Sequence, residues 1–500
     1  MAFKKIHYDR FAVGFIIVYF LFEMVYVSVI SQGAGLDDAE LASNVSFWSW
    51  GYGGSQPPLY TWIAYGLTQI FGLHLWLFQI IKFGLLGSTF LAVYAGLRLL
   101  NVRSVVAGAG MLAIFLLPQI GWESQRALTH SIMGTAGSAW TFAAFCLFIK
   151  KPSALKACLL GLACAASILG KYNGTLFIIA LFGGALLTKE IRPRLATRYT
   201  PMAIISALIV MSPALVFMYM NPAGVAARAK KFAVDKSGHF LLDRLWGLNE
   251  LALASLSFLS IALILVLILA RLQAVSDAKG PQTVTSSGSD NLAEHFLSRV
   301  LLFGLGLVGL LIIISGVTNV KDRWLQPLLF LAPAYFAIML AKYGKTLKYV
   351  REYGIISMCL ALVVPCVLYI SIDTATDKLS LPEQLFDYPY LEKALRDKGP
   401  FVMVMSRHPQ IPGNLRLLDP SLKTVHVGTP FVSKLLQRPL MIVWTSKETL
   451  PENIRELLPE DIRKVLQDAG YPTDGQRGEI AVGYRGSTKV KRTVYYLYLP

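Results

Sequence analysis

The chain has 500 residues, 55% of them hydrophobic and only 15% charged, with a net charge of +17 and a mean hydropathy of +0.53. A water-soluble globular domain carries about a quarter of its residues as charges, so the composition excludes a soluble enzyme and predicts a polytopic α-helical membrane protein. The positive charge reads first as a topology signal, and no nucleic acid is expected as a partner.

Residues 1–10 (MAFKKIHYDR) form a basic start. The apolar run that follows is too long for a signal-peptide core and is expected to be the first span. Further runs at 75–97, 104–119, 131–149, 155–170, 173–188, 201–220, 250–271, 299–315, 325–341 and 352–370 bring the total to about eleven transmembrane helices, each matched to roughly 30 Å of hydrocarbon. Basic clusters fall on alternate loops, among them Lys150/Lys151/Lys156, Arg192/Arg194/Arg198 and Lys342/Lys345/Lys348. By the positive-inside rule those loops are cytoplasmic. Loops 31–74, 120–130, 171–172, 221–249 and 316–324 then share the outer face. Loop 272–298, rich in Ser, Thr and Gly, reads as a connector. The five cysteines lie in or beside apolar runs without metal-ligand spacing and are expected to be packing residues.

Beyond residue 372 charges become frequent. Short β-rich runs appear at 401–406, 423–428, 440–446, 479–484 and 493–499, with a helical pattern at 452–469. Two domains are expected: a membrane domain, 1–372, and a small α/β accessory domain, 373–500. An odd span count from a cytoplasmic start puts the second outside, in the periplasm.

The outer loops carry the candidate chemistry. Asp37, Asp38 and Glu40 leave the first span together; such carboxylates suit a general base or a metal ligand, or form a merely solvated loop. The segment 53–63 (GGSQPPLYTWI) follows with Gln56, Pro57 and Pro58. Lys171 and Tyr172 stand between two apolar runs, where a lysine either snorkels or meets an anion such as phosphate. Loop 120–130 holds Glu123, Arg126 and His130. Loop 221–249 is basic, with Arg228, Lys230, Lys231, Lys236, His239 and Arg244, on a face where positive charge is not called for. Residues 315–330 place Lys321, Arg323 and Trp324 at a span mouth; the cations suit a phosphate and the indole a sugar face. A divalent cation, if used, would draw on Asp38, Glu123 and His239.

In order along the chain, LDDAEL (36–41), SQPPLY (55–60), LGKYNG (169–174) and SGVTNVKDRWLQP (315–327) resemble motifs of the GT-C glycosyltransferases, in the branch of the protein O-mannosyltransferases and the lipid A aminoarabinose transferase. The resemblance covers roughly residues 10–345. The turn at 55–60 and the loop at 122–130 look more like bacterial transferases that add galacturonic acid to lipopolysaccharide. The resemblance implies Asp37 as catalytic base, with Asp38 in a position usually held by Glu. It implies Lys171 as a donor-phosphate ligand and Trp324 as the late-loop aromatic. The residues themselves offer Tyr172, Arg126, Lys321 and Arg323 as further donor contacts. Gln56 stands where the aminoarabinose transferase has Lys, and Ser55 where it has Glu, so more of the phosphate's charge falls to Lys171, Arg126 or the late basic pair.

The expected function is therefore inverting transfer of a sugar, galacturonic acid being one candidate, from a polyprenyl-phosphate donor to lipopolysaccharide, lipid A or another envelope acceptor, at the periplasmic face of a bacterial inner membrane. The alternatives are a flippase for lipid-linked sugars, a protein O-mannosyltransferase-like enzyme, and a non-catalytic assembly subunit. A flippase is disfavoured because no internal repeat is visible and the polar residues gather on one side.

Overall fold

A computed structural model of the chain describes residues 8–30, 33–53, 56–222, 239–278, 288–373, 383–445, 457–485 and 487–500. Seven helices among the described residues are long and apolar enough to cross a membrane: Tyr8–Val29, Leu75–Leu99, Thr129–Lys150, Thr200–Met220, Phe240–Ala278, Asn291–Ser315 and Lys348–Val367. The chain is thus a multi-pass membrane protein.

The expected eleven spans are not all present as full-length helices, for local reasons. Run 104–119 is bent by 74° between Ser104–Leu116 and Gln119–Arg126, which makes an eighth span only if the bent pair is counted as one. Pro118 stands at that break, where it removes a helical donor. Runs 155–170 and 173–188 form Ala154–Gly170 (17 residues) and Gly174–Leu187 (14 residues). At the α-helical rise these are roughly 25 and 21 Å long, short of about 20 residues for a full crossing. Run 325–341 is divided into Gln326–Leu329 and Ala332–Tyr343, and Pro327 and Pro333 each open a helix there, where no amide donor is needed.

Packing divides the chain into two units, Met1–Glu23 with Lys82–Cys366, and Met24–Ile81 with Val367–Pro500. The sequence divides once, at 372/373; packing gathers residues 24–81 with 367–500.

In the first, helical unit, small residues let helices approach closely. A Cβ on Gly137 would overlap the main chain of Ser167, and one on Gly170 that of Gly134. The helices Thr129–Lys150 and Ala154–Gly170 therefore touch backbone to backbone, and Ser138 and Ser167 share a buried hydroxyl hydrogen bond of 2.8 Å.

The second, mixed unit is built on a five-stranded sheet: β1 (Met403–Ser406), β2 (Lys423–His426), β3 (Leu440–Trp444), β4 (Gln476–Tyr484) and β5 (Ser487–Leu499). Their order is β2-β1-β3-β5-β4. β1 pairs parallel with β2 and β3, while β5 runs antiparallel to β3 and β4. Each β-rich run read in the sequence falls on a different strand. The period of two sorts the side chains onto two faces. Val404, Met441 and Val443 pack with Leu391, Leu395 and Leu415 on one; Met403, Met405 and Ile442 pack with Ile462 and Leu466 on the other. Of the helical pattern at 452–469, Glu460–Asp468 is a helix, and residues 452–456 lie outside the described residues.

Candidate functional site

The cation-bearing segments belong to the helical unit, and the structure ties three of them together. Lys171 follows the Ala154–Gly170 helix, and its Nζ donates to Ser131 Oγ at 2.6 Å. A Cβ on Gly134 would crowd Lys171 Cβ, so the glycine makes room for this lysine. Two residues on, Asn173 Nδ2 donates to the Trp324 carbonyl at 2.6 Å. That joins the 169–174 turn to the late loop. Gln119 Nε2 donates to Asp322 Oδ2 at 2.7 Å, and Gln326 Nε2 to Ser124 Oγ at 3.2 Å. Loop 120–130 is thereby joined to the same late loop.

Beside these ties lies a cavity of about 580 Å³, lined by Gln119, Glu123, Glu250, Lys321, Asp322 and Arg323 among others. Lys321 and Arg323 are exposed, and among the described residues neither forms an ion pair. Arg126 is different: its Nη2 is 3.5 Å from Glu123 Oε2, and its guanidinium lies 5.7 Å from the Trp122 ring centroid. Tyr172 turns its hydroxyl towards Met218 Sδ, at 3.9 Å.

The carboxylates belong to the mixed unit. Asp37 and Asp38 occupy the first turn of the helix Leu36–Asn44, where negative charge stabilises a helix. Both are half-buried. Asp38 Oδ2 accepts from Gln79 Nε2 at 3.1 Å. Tyr60, two residues after Pro58, is 0% exposed. Burial, and then the nearby charges of Asp38 and Asp37, push its hydroxyl well above the usual phenol range, so it stays protonated. Gln56 is a half-buried bend residue just before Pro57.

The metal set read from the sequence, Asp38, Glu123 and His239, is divided between the two units. Among the described residues no three His, Cys, Asp or Glu side chains gather closely enough to hold an ion. Glu123 is turned to Arg126 and Asp38 to Gln79. His239 is exposed at the start of the Phe240–Ala278 helix. Its basic neighbours Arg228, Lys230, Lys231 and Lys236 lie outside the described residues.

Several residues at these sites had weaker signals. Tyr60, Gln79, Ser131 and Asn173 act through partners far along the chain, which spacing does not reveal. Glu23 and Lys82 are 0% and 2% exposed, although each stands in an apolar helix. Their signal, a single charge inside an apolar run, is present in the sequence and usually marks a paired group.

Residues 55–217 match the family described as dolichyl-phosphate-mannose-protein mannosyltransferase. The chain is 28% identical over 451 residues to lipopolysaccharide core galacturonosyltransferase RgtB of Rhizobium johnstonii, covering 88% of each chain. It is 25% identical over 442 residues to RgtA of the same organism, another lipopolysaccharide core galacturonosyltransferase, covering 86% of each. The crystal structure of ArnT from Cupriavidus metallidurans, bound to undecaprenyl phosphate, aligns over 98% of both chains at 14% identity, but its TM-score of 0.38 is too low to say that the folds agree. The relatives and the matched family are all transferases of sugars, so the flippase and assembly-subunit alternatives fall away. With its apolar helices and these relatives, the chain is a membrane glycosyltransferase, similar over most of its length to lipopolysaccharide core galacturonosyltransferases.

Proposed function

We propose that this glycosyltransferase transfers galacturonic acid, with inversion, from a polyprenyl-phosphate donor to lipopolysaccharide or lipid A at the periplasmic face of a bacterial inner membrane. The observation that carries the chemistry is the half-buried Asp37, held in a helical first turn beside a fully buried tyrosine. The sugar and the acceptor are suggested by the names of the two relatives.

Asp37 takes the proton from the acceptor hydroxyl as its oxygen attacks the anomeric carbon. The bond from that carbon to the phosphate oxygen breaks, and its electron pair leaves with the polyprenyl phosphate. Lys171, Lys321 and Arg323 offset the phosphate charge through charge-assisted hydrogen bonds. The Trp324 indole offers an apolar face to a sugar ring, and Arg126, Tyr172 and Gln56 are assigned secondary donor contacts. Asp38, held by Gln79, orients the acidic turn.

The test is reconstitution of the purified protein with a polyprenyl-phosphate galacturonic acid and core-truncated lipopolysaccharide. The expected product carries one added hexuronic acid with inverted anomeric configuration, read by mass spectrometry and NMR. Transfer to a Ser/Thr peptide instead would favour an O-mannosyltransferase-like activity, the reading that the matched family's description supports. Periplasmic placement is tested with Ser421→Cys in a background lacking the five native cysteines: an impermeant maleimide should label it in intact spheroplasts, and labelling only after lysis overturns the orientation.

A further inference from the structure

The helix Gln410–Leu418 turns a buried polar edge towards the main chain around the acidic pair, inside the mixed unit. Asn414 Nδ2 donates to the Ala34 carbonyl at 3.1 Å, while Asn414 Oδ1 accepts from the Ala34 amide at 2.8 Å. One side-chain amide thus pairs with both main-chain groups of one residue. Gln410 Nε2 donates to the same carbonyl at 2.9 Å. Further along, Arg416 Nη1 donates to the Ala42 carbonyl at 2.6 Å. Between these bonds Gly413 lies so close to Ala39 that a Cβ would overlap the Ala39 carbonyl.

Packing alone does not call for this set. Asn414 is 3% exposed and Gln410 9%, and a buried amide left without partners costs about 1–3 kcal/mol. Apolar side chains would seal the same interface without that risk. What the polar set adds is a fixed register, because only one alignment of residues 34–42 satisfies every bond. The bound segment needs that help: Leu36–Asn44 has nine residues and its N-cap, Gly35, supplies no side-chain bond, and so short a helix is marginal by itself. Asp37 follows Ala34 by three residues.

We propose that Asn414, with Gln410 and Gly413, is a positioning element that sets where the Asp37 carboxylate stands, so that the C-terminal α/β fold serves as the template of the acidic turn. This rests on the reading of Asp37 as the base.

The test compares Asn414→Ala with Asp37→Asn in the full-length enzyme, using polyprenyl-phosphate galacturonic acid and lipopolysaccharide as substrates. For Asn414→Ala, kcat should fall about 10- to 100-fold, the range expected of a slightly misplaced catalytic group, while donor KM changes less than about twofold. Hydrogen exchange should quicken across 34–44 and stay slow in β1 and β3. Unchanged kcat, despite faster exchange at 34–44, overturns the proposal. So does a loss of activity accompanied by faster exchange throughout the sheet, which marks a merely structural role. If Asn414→Ala does not fold, Gln410→Ala is read by the same criteria. Near-normal turnover of Asp37→Asn removes the base, and this inference with it. An inactive Asp37→Asn beside a fully active Asn414→Ala overturns the positioning role alone.

Discussion

The two units hold their charged groups by opposite means. In the helical unit Lys171 stands at the end of a helix whose path is set by glycines packed against backbone, and neighbouring loops are tied to it by Asn173 and Gln119. Its position follows from close contact between apolar helices that satisfy their own backbone hydrogen bonds whatever the site does. In the mixed unit Asp37 and Asp38 ride on nine residues of helix braced by side chains some 375 positions further along the chain, the separations being 376 and 380 for the bonds to Ala34. The cations are placed by architecture and the acid by a latch. Damage to the latch should act on rate, and damage near the cations on donor binding.

The strongest break of that contrast removes the acid itself. Asp37→Asn keeps size and hydrogen bonding but removes the proton acceptor, so turnover should fall by about 10²-fold or more with yield and melting temperature unchanged. Steady-state kinetics on purified protein checks it. A variant turning over near the wild-type rate ends the role of Asp37, and the acid side of the comparison becomes structural.

Next comes the lysine. Lys171→Ala should lower kcat/KM for the donor by about tenfold or more, since a charged hydrogen bond is worth roughly 1.5–3 kcal/mol. Lys171→Arg should retain part of it, because charge survives while shape changes. The Ser131 bond gives a control: Ser131→Ala leaves the ammonium in place and should cost less than Lys171→Ala. If Lys171→Ala leaves donor kinetics untouched, the lysine's role is structural.

A smaller effect is expected at the cavity. Arg323→Gln and Lys321→Gln each remove one exposed cation, and water screens what remains. Each should raise donor KM by about two- to fivefold, and the increase should shrink as salt rises. An effect that does not depend on salt points to shape rather than charge at this mouth.

These contrasts follow what the sequence makes visible. Long apolar runs, the acidic turn, the 169–174 turn and the late basic loop were all legible, because each is a local pattern. All five strands were legible too, from alternation and β-branched or aromatic content. Runs 104–119 and 325–341 are broken because prolines at 118, 327 and 333 redirect the chain without lowering its hydropathy. The joining of 24–81 to the C-terminal sheet was invisible: Asn414, Gln410 and Gly413 lie in an ordinary-looking amphipathic helix, and nothing nearby in sequence names Ala34 as their partner. Tyr60 and Gln79 were missed for the same reason. A site assembled from distant segments leaves only its charged members as a trace.

An effect on stability rather than on activity tests whether the mixed unit is the acid-sensitive one. His426 ends β2, is 9% exposed, and its Nδ1 accepts the Gly428 amide at 3.1 Å, a bond that requires the neutral ring at that nitrogen. Burial, with the nearby His408 imidazole acting the same way, holds its pKa down to about 4. In the unfolded chain histidine titrates near 6.5, so the unfolded state binds the extra proton first. Stability is therefore intact above about pH 6.5 and is lost as pH falls from there towards 4, by roughly 3 kcal/mol across the full window. At pH 5 about 2 kcal/mol of it should be gone. Hydrogen exchange corrected for intrinsic rates should show β1, β2 and β3 opening more readily at pH 5 than at pH 7, while the Thr129–Lys150 helix is unchanged. His426→Asn keeps an acceptor for Gly428 without a group that titrates in this range, and should remove most of the difference. If the sheet opens equally with and without His426, another group sets the acid response. If the helix opens as well, the pH effect belongs to both units and does not distinguish them.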